Sequence, residues 1–302
     1  MTLAAQAIET VIRLRAPLDL RQTLGPLLRG SGDPTMRFEP DGTVWRATRT
    51  PAGPATLRLR RHGTEVRGVA WGPGAADALD TLPDLLGEED RPEFLVAHHR
   101  LVAELARRLP GMRLPRTHRP FEALLPSILE QKVTNTEAWR GYRGLLRRVS
   151  EPAPGPMALL LPASPEAVAA LPYFALHPFG IERRRADLLR RAAGVAPRLE
   201  LDERDAAYAR LRAIPGIGPW TVAEVGRVTY GDPDAVSVGD FHLPSLVAWC
   251  LARERRADDA RMLELLEPYR GQRGRVQRLL ELSGLRPPRH GPRLAPRHFE
   301  AS

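Results

Sequence analysis

The stretch LRAIPGIGPWTVAEV, residues 211–225, sets Gly216 and Gly218 two positions apart between two patterns of helical spacing. Residues 203–214 and 219–230 carry apolar side chains at helical intervals, so the stretch reads as helix, tight turn, helix. Such a turn suits a phosphate. Glycine lets the backbone approach a ligand closely, and the first amides of the second helix are unpaired donors at the positive end of a dipole. Gly216, Gly218 and Thr221 are the residues placed to offer those donors. For a lone G-x-G a plain turn between helices is the commoner explanation, so the surroundings decide.

The 302 residues, 43% of them apolar, suffice for two or three packed units. There is no run of about 18 apolar residues to mark a membrane span, and MTLAAQAIETVIRLRAPLDL at the start lacks a targeting pattern. A cytoplasmic protein with no membrane partner is expected. Lys plus Arg number 45 against 36 Asp plus Glu, a net +9 that favours a polyanionic partner. A composition biased toward arginine and proline gives a basic chain without one. The single cysteine, Cys250, excludes an intramolecular disulfide, a four-cysteine iron–sulfur site and a multi-cysteine zinc site.

Along residues 10–72 the segments TVIRLRAPLD, TVWRATRT, ATLRLRRHG and TEVRGVAWG alternate apolar with polar residues between Gly, Pro and Asp turns, which predicts an antiparallel sheet. GAADALDTLPDLLG then reads as a helix covering one face of that sheet, followed by the acidic link GEEDRPE. After residue 92 the spacing is helical throughout, about ten short helices, with EFLVAHHRLVAELARRLPG the first. Thr134 and Glu137 have capping-box spacing, and Ser164-Pro165 is a helix start. The expected organisation is a β-rich α+β domain over 1–90, a helical region of two subdomains with a cleft between them over 91–284, and a mobile basic tail over 285–302.

The full pattern around the turn is Leu211-x-x-Ile214-x-Gly216-Ile217-Gly218-x-x-x-Val222-Ala223, with Ala223 a small residue where the helices would cross. Beyond it AVSVGDFHLPSLVAW is a loop ending in Gly239-Asp240 before a helix. This hairpin, the loop and its aspartate resemble the helix–hairpin–helix (HhH-GPD) DNA glycosylase superfamily. LLPSILEQKVTNTEAWR and GIERRRADLLRRAA resemble two further segments of the same superfamily, in the same order. With the N-terminal sheet, the chain is most similar to the bacterial 3-methyladenine DNA glycosylase II type. The likeness covers roughly 110–284 well and 10–85 loosely.

The resemblance implies an α+β fold, mainly helical, and a protein that excises alkylated purines from double-stranded DNA as a monomer and needs no cofactor. In it Asp240 is the catalytic carboxylate, which stabilises positive charge developing on the deoxyribose as the base leaves. Taken alone, an Asp after Gly and before a helix is an ordinary N-cap. Asp232 and Asp234, in GDPD, are turn chemistry. Trp220 lines the base pocket, where an aromatic face suits a cationic alkylated base, and Phe241 is a second pocket candidate; packing is the plainer reading of both. The gap-filling group falls at Gln131 or Lys132, with a phosphate contact the alternative for Lys132. Family members also hold a monovalent cation on hairpin carbonyls, here those of Arg212, Ile214 and Ile217.

Three departures stand out. Members that cut the backbone carry a lysine two residues after the second hairpin glycine, where Trp220 stands; Lys132, the one lysine of the chain, lies in another motif, which implies water as nucleophile and no lyase step. Gln131 and Lys132 are polar where alkyl-base members are often apolar. Glu281 and Leu282 occupy the place of a pocket aromatic, which keeps oxidised or deaminated bases open as substrates. A non-catalytic DNA-binding protein is the rival of another class. His98-His99 reads as a surface pair on a helix, His242 as a helix-start residue, and the arginines of residues 183–191 as a solvated face or a DNA contact in equal measure.

Overall fold

The computed structural model describes residues 7–288; the terminal six residues and 289–302, most of the expected basic tail, lie outside them. Strands β1 (Ile8–Arg13), β2 (Met36–Phe38), β3 (Val44–Thr50), β4 (Gly53–His62) and β5 (Glu65–Trp71) form one antiparallel sheet in the order β1-β5-β4-β3-β2. The alternation read from the sequence sets its faces. Val44, Ala55, Leu57, Leu59 and Val66 share a buried core with α1 (Leu20–Leu24), α2 (Ala75–Asp80) and α3 (Leu82–Leu85). Trp45 and Ala47 point the other way. They meet Leu159 and Leu161, so the proline-rich segment 151–163 is no free linker but the cover of the second face.

Helices α4 (Arg100–Arg108), α5 (Pro120–Leu129), α6 (Asn135–Val149), α7 (Pro165–Ala169), α8 (Tyr173–Leu176), α9 (Arg183–Leu199), α10 (Arg204–Arg212), α11 (Pro219–Thr229), α12 (Leu243–Ala252), α13 (Asp259–Leu266) and α14 (Arg273–Leu282) complete the fold. One apolar core joins α5 to α11, and another joins α4 with α12, α13 and α14. The α+β class, mainly helical with an N-terminal antiparallel sheet, is the one expected. The capping box of Thr134 and Glu137 and the Ser164 cap are both formed. No helix among the described residues is long and apolar enough to cross a membrane.

The first helical segment is shorter than its spacing suggested. Residues 95–99 are not helical, and His99 is the residue before α4 with an extended backbone. His98 and His99 therefore do not ride on a helix; they flank the Tyr269 ring, and the His99 imidazole Nδ1 lies 2.7 Å from its hydroxyl.

Glu122, in the first turn of α5, ties the sheet to the helices. Its carboxylate accepts from the Arg46 guanidinium at 2.7 Å, the Thr48 hydroxyl at 2.8 Å and the Arg49 amide at 2.8 Å. A carboxylate there also complements the helix dipole. Both Arg46 and Glu122 are largely buried, with side-chain exposures of 9% and 14%. Glu122→Ala leaves a buried guanidinium unpaired, so urea denaturation should register a loss of about 3–5 kcal/mol; a loss below about 1 kcal/mol would mean the tether is not holding the two units together.

Candidate active site

Two helices and a six-residue turn build the hairpin. Ile214 and Ile217 are buried, and the Ile217 amide donates to the Ile214 carbonyl at 3.0 Å, which folds the chain back before α11 begins. Gly216 has φ +104°, a left-handed conformation, and a Cβ there would lie 3.2 Å from Leu188 Cδ2. Both conditions call for glycine. Gly218 is different. It caps α11 with φ −103°, and a Cβ would meet nothing within 4 Å, so nothing inside the molecule requires a glycine at that position. The first helical bond runs from the Val222 amide to the Gly218 carbonyl. The Trp220 and Thr221 amides precede it, and Pro219 has none, as suits the first helical position.

Gly226 makes room for Tyr208 of α10: a Cβ there would fall 1.8 Å from the Tyr208 hydroxyl. That hydroxyl donates to Asp232 at 2.8 Å, so Asp232 is engaged in the turn after α11, and Asp234 pairs with Arg273. Neither carboxylate faces the hairpin turn's donors, in keeping with turn chemistry. Arg212 closes α10 with its guanidinium 5.5 Å from the centre of the Tyr208 ring.

Gln131 reaches this turn from the end of α5. Its side-chain amide donates to the Gly216 carbonyl at 3.2 Å and to the Thr221 hydroxyl at 3.0 Å. Thr221 is buried, and its hydroxyl accepts the Gln131 bond. Lys132 follows, exposed, with φ +55°. A non-glycine residue in that region marks a constrained loop tip.

Asp240 lies between α11 and α12, half-buried. Its Oδ1 accepts from the His242 and Leu243 amides at 2.8 and 2.9 Å, which pair the open start of α12. Its Oδ2 accepts from the Trp220 indole N–H at 3.1 Å. The carboxylate therefore caps a helix and at the same time stands beside the aromatic at the hairpin. His242 is indeed the residue at the helix start. Phe241 departs from the pocket role: it is 81% exposed and touches His242 edge-on at 4.8 Å between ring centres.

Beside the Trp220–Asp240 pair is a polar cluster that sequence spacing did not reveal. Glu224, one turn along α11 from Trp220, accepts from Arg227 at 3.0 Å and from the Ser237 hydroxyl at 2.5 Å. Glu281 accepts from Arg227 at 2.9 Å, Gln277 at 2.8 Å and Arg278 at 3.3 Å. Burial pushes the Glu281 carboxyl up, but the Arg227 and Arg278 guanidiniums outweigh it and hold it below the usual carboxylate range. Arg29, from the sheet unit, bonds Glu130 at 3.4 Å, and burial raises the Glu130 carboxyl against that pull. Leu282, next to Glu281, packs against the α4/α12–α14 core. On one helix the pairs Glu224/Arg227 and Gln277/Glu281 look like solvated faces; only the tertiary fold brings them together.

No protein-family model matches the sequence, and no curated protein does. Solved structures match the fold. A 3-methyladenine DNA glycosylase from Archaeoglobus fulgidus superposes with a TM-score of 0.75 at 16% identity, covering 90% of this chain and 97% of that one. MBOgg1, solved with a low-affinity DNA ligand, gives 0.71 at 15% identity over 92% of this chain and 97% of its own. A Clostridium acetobutylicum 8-oxoguanine glycosylase/lyase, bound to DNA with cytosine opposite 8-oxoguanine, gives 0.69 at 11% identity, with 92% and 97% covered. Among the described residues no group of three or more His, Cys, Asp and Glu side chains could hold a metal ion.

The two glycines separate experimentally. Gly216→Ala places a side chain at positive φ against Leu188 and should destabilise the protein by about 1–3 kcal/mol in thermal or urea unfolding. Gly218→Ala should change stability by less than about 0.5 kcal/mol. Equal losses at both positions would contradict this division of roles.

Proposed function

We propose that this chain is a monofunctional DNA glycosylase that hydrolyses the bond between an alkylated purine and its deoxyribose in double-stranded DNA, acting as a monomer and leaving an abasic site. The observation that carries the reading is the Asp240 carboxylate, fixed by the α12 amides and by Trp220 beside a hairpin whose Gly218 has no internal reason to be glycine. As the base departs, positive charge grows on the sugar, and a carboxylate preset next to it lowers the transition state more than the ground state. The same carboxylate orients or deprotonates the attacking water.

Exposing that bond requires the nucleotide to leave the stack, at a cost of a few kcal/mol. The Gly216, Gly218 and Thr221 amides would grip the backbone, with the Arg212, Ile214 and Ile217 carbonyls holding a monovalent cation against a phosphate; backbone oxygens are the donor set such an ion takes. Since the Gln131 amide is engaged with the hairpin, Lys132 at the exposed loop tip would fill the vacated stack, its aliphatic stem supplying the apolar surface. Trp220 would offer its face to the base, which suits a base made cationic by alkylation. Trp220 stands where an attacking amine would be needed, so water is the nucleophile.

A second reading draws on the same polar cluster. Ser237, Gln277, Glu281 and the arginines around them are hydrogen-bonding groups, and a site built to bond a base edge rejects bases whose edge differs; oxidised or deaminated purines are then the substrates. A binding protein without chemistry would keep the hairpin but give Asp240 only its cap. The experiment is to incubate the purified protein with methylated duplex DNA, and with duplexes carrying 8-oxoguanine, hypoxanthine or uracil, and to chromatograph the released bases. Release of 3-methyladenine or 7-methylguanine, with no covalent DNA adduct on borohydride reduction, is expected. Release from the oxidised or deaminated duplexes alone would move the substrate class, a trapped adduct would overturn the water mechanism, and no release from any duplex despite DNA binding would leave the non-catalytic protein.

A further inference from the structure

Away from the hairpin, four arginines of α6 share one groove. Arg140, Arg143, Arg147 and Arg148 line a recess of about 440 Å³ whose opposite wall is Pro178 and Phe179. The wall is held close because α6 carries glycine there: a Cβ on Gly144 would lie 2.5 Å from Phe179 Cδ1. From Ala138 to Val149 the helix has no acidic residue. Arg143, Arg147 and Arg148 make no ion pair among the described residues, and Arg147 and Arg148 are exposed.

The ordinary explanation falls short, and the arrangement has a cost. Arginines in the last turn of a helix complement its dipole, which accounts for Arg147 and Arg148 but not for Arg143, more than a turn further in. Like charges three and four positions apart on a helix repel and destabilise it by about 0.2–0.5 kcal/mol per pair. Arg143 with Arg147 is such a pair. A concave surface that concentrates one sign of charge raises the local potential, and an anion laid along it removes the repulsion.

The position of the groove identifies the anion. Helix α6 starts at Asn135, capped by Thr134 only two residues after Lys132, in the loop that Gln131 clamps to the hairpin turn. From Arg140 to Arg147 the helix rises about 10 Å, the length of about three nucleotides of one strand at 3.4 Å each. We propose that the α6 groove is a second DNA-backbone site, binding phosphodiesters of the duplex flanking the lesion without reading sequence. This rests on the reading of the chain as a DNA-acting protein. It adds affinity for long duplex that the hairpin alone does not supply.

The test is fluorescence anisotropy of an undamaged duplex of about 30 base pairs, titrated from 50 to 200 mM salt, with wild type and Arg143→Gln/Arg147→Gln/Arg148→Gln. Each phosphate contact contributes about 0.9 to the slope of log affinity against log salt, so the triple variant should have a slope shallower by about 2–3, with its thermal midpoint unchanged or raised. A slope shallower by less than about 1, in a variant that melts like wild type, overturns the groove while leaving the hairpin reading intact. Should the variant melt early, Arg147→Gln/Arg148→Gln, wholly on the exposed end, is measured instead and must lose about 1–2. Wild type that binds no DNA at any salt contradicts the DNA reading itself, and the groove with it.

Discussion

The site turns on one carboxylate held by three donors. Asp240 satisfies two amides at the start of α12 through one oxygen and the Trp220 indole through the other. Hydrogen bonds to a charged acceptor are worth about 1.5–3 kcal/mol each, enough to fix the group's position against thermal motion. An aspartate that only capped α12 would need a single oxygen and could turn the second toward water. Here the second oxygen is spent on the hairpin's aromatic, so the loop from Ser237 to Leu243 joins α12 to α11 in one geometry. The hydrogen bond from the Asp240 amide to the Ser237 carbonyl at 3.2 Å tightens the same loop.

That geometry is supported from three directions. Gln131 braces the hairpin from α5, Glu122 fastens α5 to the sheet, and the Glu224–Arg227–Glu281 cluster ties α11 to α14. The last of these is a poor source of net stability, because desolvating the charges costs about as much as pairing them returns. Its consequence is positional: removing one member strands the others, so the faces of α11 and α14 that meet beside Trp220 have few alternative arrangements. Arg278 extends the connection to the sheet unit, donating to the Gln22 carbonyl at 3.1 Å.

Much of this was legible in the sequence because it is local. The hairpin followed from glycine spacing, the sheet from period-two alternation between turns, and the helix starts from Thr134 and Ser164. Asp240 could be placed before α12 for the same reason. What escaped depends on residues far apart in the chain. The segment EPAPGPMALLLPA, 151–163, reads only as a proline-rich loop between helices, yet Leu159 and Leu161 are buried against Trp45 and Ala47. Gln131 reads as a side chain free to enter DNA, and the fold turns it back onto the hairpin. Phe241 sits next to Asp240, but the turn that caps α12 sends it into solvent. The charged cluster could not be inferred from any one helix, since Arg29, Glu130, Glu224 and Glu281 come from four separate elements.

The most direct test of the role given to Asp240 is a single-turnover measurement of base release by wild type and Asp240→Asn on the same lesion-bearing duplex, alongside the dissociation constant of each for that duplex. Asparagine keeps an acceptor for the α12 amides and removes the charge. A fall in rate on the order of 10² or more, with the dissociation constant within about threefold of wild type, is the result expected of a carboxylate that acts on the transition state. A variant that retains its rate, or one whose lost rate is matched by lost binding, would contradict it and return Asp240 to the part of a helix cap.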